Sequence, residues 1–160
     1  MSDFYPAVLI LRRPNLYIGS YADATSAEFL RSKNIGLVIN MTPREDVPAP
    51  YSNRVRTLRF PLWDSPEEGT KMLQYAPIAA RAIDSARRRG VNVLVHCRAG
   101  ISRSASAVAA YLIGYTGMTA AEAVEFIKAK KPETFGGSSN RLGVFSAALR
   151  RYERQVRNQR

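Results

Sequence analysis

The stretch "VNVLVHCRAGISRSASAVAAYLIG", residues 91–114, sets the chain's only histidine beside its only cysteine and follows them within six residues by Arg103. "VNVLVH" reads as a strand buried on both faces, because no polar alternation breaks its apolar run. From Ser102 to about Tyr115 the sequence reads as a helix. The loop between them, Arg98-Ala99-Gly100-Ile101-Ser102, completes a strand–loop–helix unit that presents backbone N–H groups to an anion. Gly100 lets the chain curl where a Cβ would obstruct it. With a phosphate in the loop, the amides face its oxygens and Arg103 closes the ring, its planar fork binding two oxygens at once. Cys97 then lies at the base of the cradle, in the field of a helix N-terminus. The amides that hold phosphate also stabilise a thiolate, giving a nucleophile that needs no adjacent base. A free cysteine is more often a small buried filler. Arg103, with Gly100 between and Ser104 after, outweighs that reading here. His96 is expected to support the loop from behind.

Outward from this unit, strands and helices interleave. "AVLIL" and "LYIGS" read as an initial hairpin around "RRPN". "DATSAEFLRSKN" reads as a short amphipathic helix with Asp23 or Thr25 as N-cap. "GLVINM" (36–41) is a buried strand, 42–53 a proline-bearing loop, and 54–63 an irregular strand. A helix runs from residue 71 or 77 to Arg89, with Pro77 making its start ambiguous. Two more helices follow the central one: Thr119 to about Lys130, opened by the capping box "TAAE", and Arg141 to about Arg157. The pattern implies a single α/β domain over residues 1–160, with a central sheet flanked by helices and a strand–phosphate-binding loop–helix site.

Composition agrees with one globular domain: 46% apolar and 23% charged residues in 160. No apolar run reaches the ~18 residues of a membrane span. "MSDFYP" lacks a secretory pattern, so the chain reads as soluble and cytoplasmic, with nuclear access open. One cysteine allows no internal disulfide, and one cysteine with one histidine cannot supply a zinc site built on several such ligands. A Cys/His dyad is disfavoured because neighbours on a strand point to opposite faces. The net charge of +11 reads either as a soluble, positively charged surface or as attraction to anionic partners. Its clusters, "RRRG" (87–90) and the helix end at about 150–160, read as solvated helix termini, and nucleic acid is not expected.

"HCRAGISRSAS" resembles the signature of the cysteine-based phosphatases, and "AGISRSA" in particular resembles the dual-specificity protein phosphatases. "LYIGSYADA", "NIGLVINMT" and "AAYLIGYTGMTAAEAVEFIKAKKP" extend the similarity over nearly the whole chain, as a catalytic domain with nothing appended. The resemblance implies a general acid after the strand preceding the long helix. "FPLWDSPEE" supplies Asp64, 33 residues before Cys97, with Glu67 and Glu68 as fallback candidates. A leaving oxygen must be protonated as its P–O bond breaks, and the same carboxylate would then take a proton from attacking water. By resemblance Ser104 donates a hydrogen bond to the sulfur, and no metal or cofactor takes part. Where the family places Asn close before Gly-Phe, "FGGSSNRLGVF" spaces Asn140 and Phe145 more widely. Asn140 either braces the phosphate loop or caps the last helix.

Only 96 residues precede Cys97, so the resemblance implies that the deep wall of tyrosine-specific members is lacking. A shallow pocket admits phosphoserine and phosphothreonine as well as phosphotyrosine. The loop has Arg98 and then neutral residues, which favours phosphoprotein over polyphosphorylated lipid. "RRPNLYI" (12–18) fits a kinase-docking pattern, yet Leu16 and Ile18 read better as core. A rhodanese-like sulfurtransferase leaves Asp64 unexplained. A phosphoresidue-binding module leaves the nucleophile unexplained. With no second cysteine in the chain, oxidised Cys97 is expected to return through glutathione or a sulfenamide. Intact mass after peroxide tests this, and a disulfide-linked dimer as main product would contradict it.

Overall fold

The computed structural model describes residues 6–46, 55–136 and 142–159. Its strands are β1 (Val8–Leu11), β2 (Leu16–Gly19), β3 (Ile35–Asn40), β4 (Arg56–Arg59) and β5 (Asn92–His96). Its helices are α1 (Tyr21–Ala24), α2 (Ala27–Ser32), α3 (Gly69–Arg88), α4 (Arg103–Thr116), α5 (Ala120–Lys130) and α6 (Ser146–Asn158). A 3₁₀ turn, Pro66–Glu68, leads into α3. The sheet order is β1-β2-β5-β3-β4, so the strand that carries His96 and ends before Cys97 is central. It pairs in parallel with β2 and β3, and only β1 runs antiparallel.

A central parallel strand is covered on both faces, which is why "VNVLVH" has no polar alternation. Val93 and Val95 join a large core with Leu16, Ile18, Leu37 and Ile39, under α3, α4, α5 and α6. Leu94 joins a smaller core with Tyr17, Val38 and Leu30, under α1 and α2. The α/β sheet with helices on both faces is thus as expected from the pattern. Leu16 and Ile18 are fully buried, so "RRPNLYI" offers no docking strip.

Several boundaries differ from the expectation, for local reasons. Residues 23–34 hold the end of one short helix and the whole of another. Ser20 caps α1 with Asp23 as its reciprocal partner, and Ser26 caps α2 through its hydroxyl. Asp23 is therefore the third residue of α1, and Thr25 its C-cap. β4 is four residues long, an edge strand paired only with β3. Helix α3 begins at Gly69 and runs through Pro77. An interior proline costs ~3 kcal/mol. Met72, Ala76, Ala79, Ala80, Ile83 and Ala86 form a buried stripe along the same helix. Met72 and Ile83 alone contribute roughly 1.5–3 kcal/mol each, which offsets the proline. α6 begins at Ser146, and Arg141 lies outside the described residues. Arg87 is not a solvated terminus: Nε and Nη2 donate to the Pro14 carbonyl (3.1 and 3.0 Å) and Nη1 to the Tyr111 hydroxyl (2.7 Å). It ties the β1–β2 turn to α3 and α4. Among the described residues no helix is long and apolar enough to cross a membrane.

Candidate active site

Cys97 follows β5 directly and is 2% exposed, its Sγ 3.3 Å from the Ser104 hydroxyl in the first turn of α4. The six residues between them, 98–103, are held from outside by backbone. The Arg98 carbonyl accepts from the Tyr21 N–H (3.0 Å) and the Ile101 carbonyl from the Phe135 N–H (2.7 Å). In a trans peptide the following N–H points the opposite way. The amides of Ala99 and Ser102 therefore turn away from these braces. Gly100 has φ +81°, and a Cβ there would stand 2.7 Å from the Gly19 carbonyl oxygen. The tight curl against β2 thus requires glycine. Phe135 is itself left-handed, at φ 64°, an uncommon conformation for an aromatic residue. Asn140, expected either to brace this loop or to cap the last helix, lies outside the described residues. Among the described residues, the Phe135 backbone N–H braces the loop.

Arg103 is 5% exposed, and its guanidinium is bracketed. Nη1 donates to the Leu62 carbonyl at 3.0 Å, and Nη2 pairs with Asp46 Oδ2 at 2.8 Å. Nε is buried and has no hydrogen-bond partner. Asp46 also receives Arg98 Nη1, on its backbone oxygen (3.0 Å) and on Oδ1 (3.3 Å). Asp46 was not expected from the sequence. It sits in a loop that shows only prolines and mixed charges, and nothing local marks it as reaching a site 57 residues away, at Arg103.

Asp64 comes from the loop after β4. Ser102 Oγ donates to Asp64 Oδ1 at 2.8 Å, which fixes the carboxylate at the phosphate loop. Two residues earlier, the Leu62 carbonyl is held by Arg103, so both loops share one anchor. The fallback acids are engaged elsewhere. Glu68 accepts from the Trp63 N–H at 2.9 Å. Glu67 is fully exposed, and a bond from the Ser65 side chain, with its own backbone N–H, holds its carboxyl below the ordinary range. The site thus brings together Cys97, Arg103, Ser104, Asp64 and the loop residues.

His96 is completely buried, and its Nδ1–H donates to the Cys97 carbonyl at 3.0 Å. Burial is the chief reason its pKa falls from 6.5 to about 4. The Cys97 bond opposes the shift, and the charges of Arg59 and Arg103 add to it. The imidazole is thus neutral and bonded to backbone behind the loop. Among the described residues, no group of three or more His, Cys, Asp or Glu side chains could hold a metal ion. The arrangement can seat a tetrahedral anion over a sulfur, with a guanidinium edge at its side and a carboxyl group at the mouth.

Comparison with known proteins agrees with this geometry. The family model described as "Dual specificity phosphatase, catalytic domain" matches residues 16–155. Dual specificity protein phosphatase 16 of Homo sapiens is 36% identical over 149 residues, 91% of this chain and 21% of that protein. Dual specificity phosphatase 28 of Homo sapiens is 32% identical over 146 residues, 90% of this chain and 81% of that one. The chain therefore spans about a fifth of the first relative and four-fifths of the second. The crystal structure of a point variant of human DUSP28 superposes with a TM-score of 0.83 at 29% identity, covering 98% of this chain and 99% of that chain. With a buried cysteine under an arginine-closed loop and a family match over most of its length, this chain belongs to the dual specificity phosphatase catalytic-domain family.

Proposed function

We propose that the protein is a phosphoprotein phosphatase that hydrolyses phosphotyrosine and phosphoserine/phosphothreonine through a phosphocysteine intermediate, without metal or cofactor. The observation that carries this reading is the bond from Ser102 to Asp64, which brings a carboxyl group to the loop over Cys97. The phosphoryl group binds to the loop amides of Arg98 to Ser102 and to Arg103. The Cys97 thiolate attacks phosphorus, the P–O bond breaks, and Asp64 gives its proton to the leaving oxygen. Water then attacks the phosphocysteine and gives a proton to the Asp64 carboxylate. The S–P bond breaks, and the Ser104 hydroxyl donates to sulfur as it leaves as thiolate.

Family membership supports the breadth of substrate, and the neutral loop after Arg98 supports phosphoprotein over polyphosphorylated lipid. We place the protein in the cytoplasm, with nuclear access, acting on phosphoproteins rather than nucleic acid. The test is phosphate release, in EDTA, from one peptide carrying phosphothreonine and phosphotyrosine, with Cys97→Ser as control. Both residues should lose phosphate with the wild type and neither with the variant. Cleavage of phosphotyrosine alone would contradict the dual specificity, and inactivity of the wild type would contradict the enzyme.

A further inference from the structure

We infer that Asp46 is a positioning residue for phosphate binding, holding the Arg103 guanidinium so that its Nε edge meets the ligand. The inference rests on the phosphatase reading and assigns the part of the site that the family signature does not contain. An arginine carries a large side-chain rotamer entropy, which must be lost when its fork engages an anion. Here that loss is incurred before the anion arrives. Leu62 fixes Nη1 and Asp46 fixes Nη2, at 3.0 and 2.8 Å. What remains is Nε, buried and unpartnered. A buried N–H without an acceptor is costly, so such a group marks the place where a ligand supplies the missing acceptor.

Asp46 is itself placed firmly. Its N–H closes a turn onto the Pro43 carbonyl at 3.1 Å, and its side chain is only 10% exposed. Arg98 Nη1 grips both its backbone oxygen and Oδ1. The carboxylate thus joins the loop's outer arginine to its inner one. A carboxylate near an anion site could instead be a competitor that occupies the phosphate's place. A phosphate stand-in would take Nε and Nη2 together, since these two N–H groups form one fork. Asp46 takes Nη2 only and spends its other oxygen on Arg98, so it stands beside the ligand's place.

The two accounts predict opposite signs. Binding of inorganic phosphate is measured by calorimetry to Cys97→Ser, to Cys97→Ser/Asp46→Ala and to Cys97→Ser/Asp46→Asn. The positioning role predicts about tenfold weaker binding for the alanine variant. The asparagine, which keeps an acceptor oxygen without the charge, falls between the two, and it decides the matter if the alanine variant does not fold. A graded rescue of this kind does not follow from a merely structural contact. Unchanged or tighter binding on loss of the carboxylate would overturn the inference. Absence of phosphate binding by Cys97→Ser itself would overturn the phosphatase reading, and this inference with it.

Discussion

The two loops that meet at the site are built in different ways. The phosphate loop, Cys97 to Arg103, is buried at both ends and braced by the backbone of Tyr21 and Phe135 and by the close approach of Gly19. The loop after β4 is exposed at Trp63, Asp64, Pro66 and Glu67. It reaches the site through side-chain contacts, Ser102 to Asp64 and Arg103 to the Leu62 carbonyl. The difference matches the two tasks. Seating an anion over a sulfur requires fixed dipoles that do not reorganise during reaction. A general acid must reach leaving groups of different size, which suits a side chain on a loop held by few bonds.

The largest effect expected from this contrast is at Asp64. Asp64→Asn should lower turnover of phosphothreonine peptide by roughly 10²–10⁴, the range for loss of general acid–base catalysis. An aryl phosphate with a good leaving group should suffer far less in the first step. Steady-state rates on both substrates test this, and an equal loss on both would show that Asp64 acts in binding and not in proton transfer.

The second expectation concerns the rigid side. His96 has a folded pKa of about 4 against 6.5 when unfolded. Above 6.5 both states are neutral and its contribution does not vary. As pH falls from 6.5 towards 4 the unfolded chain gains a proton that the folded chain refuses, and stability is lost. The full loss is on the order of 3 kcal/mol. Urea midpoints between pH 7 and 4, compared with those of His96→Asn, isolate the histidine. A parallel fall in both proteins would contradict the assignment.

The smallest effect is at the join. Ser102→Ala removes one hydrogen bond worth about 1 kcal/mol, so turnover of phosphothreonine peptide should drop by about fivefold, with little change for the aryl phosphate. If the aryl phosphate suffers equally, Ser102 serves the phosphate loop alone, and the two loops are less coupled than their contacts indicate.

The same contrast governs what is legible in the amino-acid sequence. The phosphate loop is legible because its parts are contiguous: a buried strand, Cys97, Gly100 and Arg103 lie within thirteen residues, from Val91 to Arg103. The capping box at Thr119 and Glu122 is legible for the same reason, since one turn contains it. Asp64 needed the family resemblance, because a lone aspartate on an exposed loop has no local signal. Asp46 and Phe135 stayed hidden altogether. The first acts across the sheet's end, and the second acts through a backbone N–H that any residue could supply. The start of α3 is not legible from Pro77 alone, because the buried stripe from Met72 to Ala86 carries the helix through the proline.

In the proposed reaction the sulfur of Cys97, seated under this loop, becomes covalently phosphorylated. The most direct measurement is rapid acid quenching during turnover of an aryl phosphate, followed by mass spectrometry of the peptide that contains Cys97. A phosphoryl adduct on that peptide, formed within the first turnover and absent from Cys97→Ser, is the predicted result. Turnover at full rate with no adduct on Cys97, or with the adduct on another residue, would contradict it.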